Sequence, residues 1–229
     1  MYTSAFGKRE GYDQKDYFAL FYEKDGQVTT IAKYVRKSDI ESSTRDGELL
    51  KALLPGRKFV YIHTGEHRSF ENSSWYYTLN IYNLRTHTTE TIKKSYIPVA
   101  IPDSVIYRKT NIRPDSPESF KELFKKIDNE RSEDLKEIGV YPPLQTIITD
   151  GNYIFAITNE IVRYKGLVVD VFDSIIGEYL CSVYFPAYKF ISQPQFFTIK
   201  NGVVYIIDYN SEGFLVIKKY RIDPAVYEK

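Results

Sequence analysis

The chain of 229 residues has few of the side chains that carry most redox and nucleophilic chemistry, with one cysteine and three histidines. The single cysteine, Cys181, excludes an intrachain disulfide and with it the disulfide-rich secreted scaffolds. We predict that Cys181 is a small buried strand residue, because no neighbouring basic group would stabilise its thiolate.

Long apolar runs are absent as well. No stretch reaches the roughly 18 apolar residues of a membrane-spanning helix, so we predict no transmembrane segment in this chain. The first ten residues lack the apolar core of a signal peptide. Sequence alone therefore leaves both a cytoplasmic and an extracytoplasmic location open.

The charge is balanced, since 31 basic and 30 acidic residues leave a formal net charge of +1. No basic run or stripe interrupts this balance. Binding to nucleic acid requires concentrated lysine and arginine to neutralise phosphates. We therefore predict no nucleic-acid partner.

Catalytic and cofactor motifs are also missing. The chain has no nucleophile-elbow motif, no phosphate-binding P-loop and no dinucleotide fingerprint. Acidic side chains are plentiful, but a glycosidase pair is defined by the distance between two carboxylates, which sequence does not give. We predict no cofactor.

Aromatic residues are abundant: 21 tyrosines and 14 phenylalanines favour strands, because flat rings cover a half-buried pleated surface. Four glycines each introduce a strand that is followed by a paired strand. They are Gly11, Gly56, Gly151 and Gly202. An all-strand unit that recurs every 40–50 residues or so is typical of the blade of a β-propeller.

The blades can be placed along the chain. The predicted strands are 16–22 and 28–35; 58–63, 75–84 and 89–96; 144–149, 152–158, 167–173 and 179–185; and 196–200, 203–208 and 214–222. The turn of the first pair is Asp25-Gly26. We expect residues 48–54 to be mildly helical and residues 64–74 to form a long polar loop.

One segment, 116–138, breaks the strand pattern. Ser116-Pro117-Glu118 provides a helix start, with an N-cap, a proline at the first position and an early acid. Apolar residues then recur at the spacing of one helix face, at Phe120, Leu123, Phe124 and Ile127. The segment predicts an amphipathic helical insertion whose apolar face packs on a blade, or alternatively serves as a docking element.

Several C-terminal segments carry a family resemblance, namely 141–157, 169–180, 199–205 and 216–222. Their proline-containing entry strand, Asp-Gly turn and Asp-Val-Phe-Asp hairpin resemble bacterial six-bladed β-propeller proteins related to NHL-repeat domains, over residues 115–223. In this hairpin we assign the aspartates and glycines to turns, with Val169 and Val171 on one face and Asp170 and Phe172 on the other.

The resemblance implies a mostly β protein with about 4–6 four-stranded blades, a single domain over residues 1–229 and a periplasmic or surface-anchored location. Such proteins are of largely unassigned function and are often anchored in a membrane ahead of the propeller. Six blades need well over 240 residues or so. The chain therefore either has fewer blades or is an N-terminally truncated part of a longer propeller.

Two clusters are candidates for function. His63 and His67, with the acid between them, have ligand types that suit a divalent metal, but they do not have the helical spacing of known motifs. We favour a polar loop at the rim of a blade. Trp75 and Tyr76, near Arg68, could stack on a sugar or anchor a peptide; the alternative, which we favour, is packing between blades.

We expect a non-catalytic binding or scaffold module that engages a protein, peptide or glycan through one face. The alternative is a metal- or carboxylate-dependent hydrolase or lyase that acts on glycan or peptide at a central channel. A third option is a structural subunit that completes its ring with another chain. Acids and histidines converging on the channel would favour the enzyme.

Overall fold

A computed structural model describes residues 2–5, 17–24, 27–35, 47–185 and 197–228. Over these residues the chain is mostly β, with fifteen strands in four antiparallel sheets and two α-helices. None of the described helices has the length and apolar character needed to cross a membrane. The predicted Asp25-Gly26 turn and the glycine at position 11 lie outside the described residues.

The first two sheets occupy the N-terminal half of the chain. The strands of the first sheet are β1 (Tyr2–Ala5), β2 (Tyr17–Lys24) and β3 (Gln27–Val35), paired in that order. Those of the second are β4 (Leu49–Leu54), β5 (Lys58–His63), β6 (Arg68–Glu71), β7 (Ser74–Asn83) and β8 (Thr88–Tyr96). In the second sheet, β5 and β6 pair with successive parts of β7, and β8 pairs along the whole of β7.

The third and fourth sheets are simple meanders. The strands of the third are β9 (Leu144–Asp150), β10 (Tyr153–Val162), β11 (Gly166–Asp173) and β12 (Glu178–Phe185). Those of the fourth are β13 (Phe197–Lys200), β14 (Val203–Tyr209) and β15 (Leu215–Arg221), followed by a short 3₁₀ turn, Pro224–Val226. All seven predicted strands of these two sheets are confirmed, and no end differs from its predicted position by more than four residues.

The helical prediction for residues 48–54 is wrong, because the segment forms β4. Leucine and alanine favour helix locally, but pairing in a sheet overrides so weak a preference. β4 pairs with β5 from Leu49 opposite His63 to Leu54 opposite Lys58. The tight turn between them uses Gly56 at φ 73°, in the left-handed region that favours glycine.

The sheets stack face to face in chain order. The alternation predicted for β7 is confirmed, since Tyr77 and Leu79 pack against the third sheet and Tyr82 lies in the cluster shared with the first. The alternation predicted for β11 is confirmed too. Phe172 faces the second sheet, whereas Val169 packs with the fourth.

The first strands of the last three sheets lie side by side, with β9 between β4 and β13. Thr149 Oγ1 donates a hydrogen bond to the Leu53 carbonyl at 2.6 Å, which joins β9 to β4. The Asp150 carboxylate accepts the backbone N–H groups of Asn201 and Gly202 at 2.8 and 2.7 Å, which joins the β9–β10 turn to the β13–β14 turn. These hydrogen bonds hold the second, third and fourth sheets together along the edge formed by their first strands.

The two helices lie in the connection from the second sheet to the third, as α1 (Asp103–Ile106) and α2 (Glu118–Ile138). The predicted helix is confirmed, with Pro117 rather than Ser116 as the capping residue and Gly139 at its end. Its C-terminal end packs through Leu135 into a small separate core. The first half does not bury its apolar face, since Phe120 and Leu123 are 45% and 52% exposed.

Candidate ligand-binding cleft

A cleft opens between the second and third sheets, with a volume of about 520 Å³. Its lining consists of residues 73–75, 94–99, 142–143 and 158–160 together with Val168, Asp170 and Ser182. A cavity of several hundred Å³ is the size that accommodates small molecules or a few residues of a polymer. Hydroxyl, amide, charged and aromatic side chains share this surface, so a ligand could both stack and form hydrogen bonds.

A chain of hydroxyl groups surrounds the one buried carboxylate of the cleft. The Tyr77 hydroxyl donates to Asp170 Oδ2 at 2.7 Å, and Ser182 Oγ donates to Asp170 Oδ1 at 2.6 Å. Because the Ser182 proton is used on Asp170, the Tyr179 hydroxyl must donate to Ser182 Oγ, 2.9 Å away. Burial raises the pKa of Tyr77 well above its usual value, and Asp170 raises it further.

The pleat of β11 explains why a carboxylate lies here. Asp170 is flanked along the strand by valines that point toward the fourth sheet, so its own side chain points toward the second. Ser182 is directly opposite Asp170 on β12. Tyr77 approaches from β7, so the network joins the two sheets as well as lining the cleft.

Further polar and aromatic side chains complete the lining. Lys94 donates to the Ser95 carbonyl at 2.9 Å, and its ammonium lies 4.6 Å from the centre of the Tyr179 ring. Partial burial, and secondarily the negative Asp170, raise the pKa of Tyr179, so this ring keeps its proton near neutral pH. Glu160 is the second acid of the lining.

The predicted binding residues are separated by the structure. Trp75 lines the cleft, with its ring 5.3 Å from that of Phe70. Tyr76 points to the opposite face of β7, where the Lys93 ammonium lies 4.6 Å from its ring centre. Arg68 is opposite Tyr77 on β6, on the Trp75 side of the sheet but outside the cleft lining.

The two predicted metal-ligand histidines meet at the other face of the second sheet. His67 Nδ1 accepts the backbone N–H of His63 at 3.0 Å and lies 2.9 Å from the Asn80 amide nitrogen. Its Nε2 therefore carries the proton and donates to the Tyr34 hydroxyl at 2.9 Å. Tyr34 also stacks on His63, with ring centroids 4.5 Å apart.

This geometry favours neutral imidazoles. Burial, together with the neighbouring His63, lowers the pKa of His67 to about 4. Nδ1 of His63 is itself engaged, since it accepts the backbone N–H of Glu66 at 3.0 Å. Across the described ranges no three His, Cys, Asp or Glu side chains are grouped so as to hold a metal ion.

Sequence reasoning missed two features of this region. The loop predicted over residues 64–74 contains β6, because a turn closed by the His67 N–H on the His63 carbonyl lets the strand resume. Asp170 lies within β11 on the predicted face, but its buried hydrogen-bond network was not predicted; the turn aspartate is Asp173, which accepts the Ile175 N–H at 2.6 Å. A charged residue within the apolar run of β11 was the available signal for a buried site.

Comparison with known proteins does not identify a family for this chain. The chain matches no protein-family model, and no curated protein matches it. The resemblance of residues 115–223 to NHL-like propellers therefore stays a prediction, and arguments about function depend on the cleft itself.

Proposed function

We propose that the protein is a non-catalytic binding module of β-propeller type that takes a glycan or peptide segment in the cleft between its second and third sheets. The observation that carries the proposal is the cleft of about 520 Å³, in which Trp75 and the hydroxyl-bound Asp170 share one lining. Aromatic faces with hydrogen-bonding groups beside them suit sugar rings and peptide backbones.

The arrangement of the sheets supports the propeller part of the proposal. Blades of a propeller are consecutive antiparallel meanders packed face to face, with their first strands around a common axis. The third sheet has this four-stranded form, and its first strand lies between those of its neighbours. The family resemblance supports an extracytoplasmic location for such a module.

The hydrogen bonds of Asp170 support a role in ligand binding. Both carboxylate oxygens already accept hydroxyl protons, from Tyr77 and Ser182. Because the pKa of Tyr77 is raised, its hydroxyl remains a donor at physiological pH. The two hydroxyl donors fix the orientation of the carboxylate, and each of its oxygens keeps a lone pair that can accept a donor group of a ligand.

A carboxylate-dependent hydrolase is the second candidate, since Asp170 and Glu160 line the same cleft. Two carboxylates that flank a glycosidic bond are the requirement for glycoside hydrolysis. This candidate predicts product release from a bound oligosaccharide and loss of that activity in Glu160→Gln. A binding module predicts that the bound oligosaccharide is recovered intact.

The test is a screen of the purified protein against arrays of oligosaccharides and short peptides, followed by titration calorimetry on the hits. We expect Trp75→Ala to weaken binding about 10-fold or more, as for a buried aromatic anchor. The matched control is Tyr164→Ala, which removes an aromatic side chain that is 91% exposed and outside the cleft. Equal affinity of the two variants would reject the cleft as the binding site.

A further inference from the structure

Asp170 is a buried carboxylate whose described partners are hydroxyl groups rather than a basic side chain. Asp170 is only 4% exposed, and burial of an ionised carboxylate is costly unless the group is paired and hydrogen-bonded. Its described partners are two neutral hydroxyl groups. Among the residues that the structure describes, no lysine, arginine or histidine lies within the 4.0 Å ion-pair distance of Asp170.

The rest of the lining does not supply the missing positive charge. Lys94 is the single basic residue of the described lining, against Asp170 and Glu160, so the cleft carries a formal charge of −1. The Lys94 ammonium is engaged with the Ser95 carbonyl and the Tyr179 ring. The surface is therefore complementary to a cation.

Aromatic rings in the lining add to this preference. Trp75 and Tyr96 both line the cleft, and their ring centroids lie 6.3 Å apart. The face of a tryptophan or tyrosine ring attracts ammonium groups through its quadrupole, most strongly in a site shielded from water. Carboxylate and ring faces together are the contacts used to recognise an alkylammonium group.

We infer that the ligand of this cleft carries a primary ammonium group, which pairs with Asp170 beside Trp75. The inference rests on the proposed binding function and specifies its ligand chemistry. An amino sugar and a lysine side chain both supply this group. The neutral, N-acetylated form of either one lacks the charge but keeps nearly the same shape.

Titration calorimetry with four probes tests the inference without any mutation. The probes are chitosan oligosaccharide, its N-acetylated counterpart, Nα-acetyl-lysine amide and Nα,Nε-diacetyl-lysine amide. We expect at least one free amine to bind about 10-fold or more tightly than its acetylated partner, with an affinity that falls as salt is added. The pair that shows the difference identifies the source of the ammonium group.

Asp170→Asn is the matching variant, since it removes the charge and keeps the shape. It should reduce amine affinity about 10-fold and leave the acetylated probe unchanged, whereas Asp134→Asn, on the exposed surface of α2, should change neither. If Asp170→Asn does not fold, Glu160→Gln is the substitute, because it removes the other negative charge of the lining and should also reduce the affinity for the free amine.

Two results would overturn the inference. Equal binding of free and acetylated probes would do so while leaving the binding function intact. Failure of all four probes would also do so, and the separate arrays of oligosaccharides and peptides would then decide whether the protein is a binding module at all.

Discussion

The second sheet has a polar cluster on each face, and the two clusters differ in what their polar atoms contact. Toward the first sheet, the rings of His63 and His67 are held by backbone N–H groups and by Tyr34. Toward the third sheet, Asp170 is held by hydroxyl groups and lines an open cleft. The first arrangement stabilises the stack of sheets, whereas the second also leaves a surface for a ligand.

The comparison shows why residue type alone is a poor guide to function. Histidines are the usual candidates for metal or acid–base chemistry. Here, however, ring nitrogens of both histidines accept hydrogen bonds from backbone N–H groups of residues 63–66. The functional candidate is instead a carboxylate in the middle of an apolar strand. What separates the two clusters is access to a cavity.

Removing the Tyr77 side chain should have the largest effect. Tyr77 is fully buried between the two sheets, so Tyr77→Ala would leave a cavity and should cost about 3–5 kcal/mol of unfolding free energy. Tyr77→Phe keeps the ring but removes the donor to Asp170, and should cost about 1–3 kcal/mol. Urea unfolding followed by circular dichroism measures both values.

A matched control separates the charged acceptor from the loss of a hydroxyl in general. The Tyr153 hydroxyl donates to the neutral Tyr227 carbonyl at 2.7 Å, so Tyr153→Phe should cost only about 0.5–1.5 kcal/mol. Equal costs for Tyr77→Phe and Tyr153→Phe would mean that the Asp170 network contributes nothing special to the junction.

His67→Ala should also destabilise the protein but spare the cleft. The change removes the acceptor of the His63 N–H and the partner of the Tyr34 hydroxyl, and should cost about 1–3 kcal/mol. Affinity for a cleft ligand should stay within about twofold, because the His67 side chain lies on the other face of the second sheet and shares no hydrogen-bond partner with Asp170. A large loss of affinity would show that the two clusters are coupled.

The histidine cluster should also make stability depend on pH. The pKa of His67 is lowered to about 4 in the folded protein from 6.5, so between these values the unfolded chain binds more protons than the folded one. The contribution of His67 is therefore complete above pH 6.5 or so and is lost as the pH falls toward 4. The free energies of unfolding of wild type and His67→Gln, measured between pH 7 and 4, should converge as the pH falls. A difference between the two that stays constant with pH would contradict the assignment.

The sequence predicted the parts of this fold that depend on local pattern. Alternation along β7 and β11 predicted which side chains face each neighbouring sheet, and both assignments are confirmed. β4 was predicted wrongly because its leucines and alanine favour helix until β5 pairs with it. The cleft could not be predicted, since Tyr77 and Asp170 are 93 residues apart in sequence and meet only when the sheets stack.

The smallest expected effect tests the two faces of a single strand. Trp75 and Tyr76 are neighbours on β7, but Trp75 lines the cleft and Tyr76 lies on the other face beneath Lys93. Tyr76→Ala should change ligand affinity less than about twofold, against the loss of about 10-fold expected for Trp75→Ala. Calorimetric titration of both variants with the same ligand makes the comparison. A similar loss in both would place the ligand around the Ser74 end of β7, in contact with both faces of the sheet, rather than within the cleft between the second and third sheets.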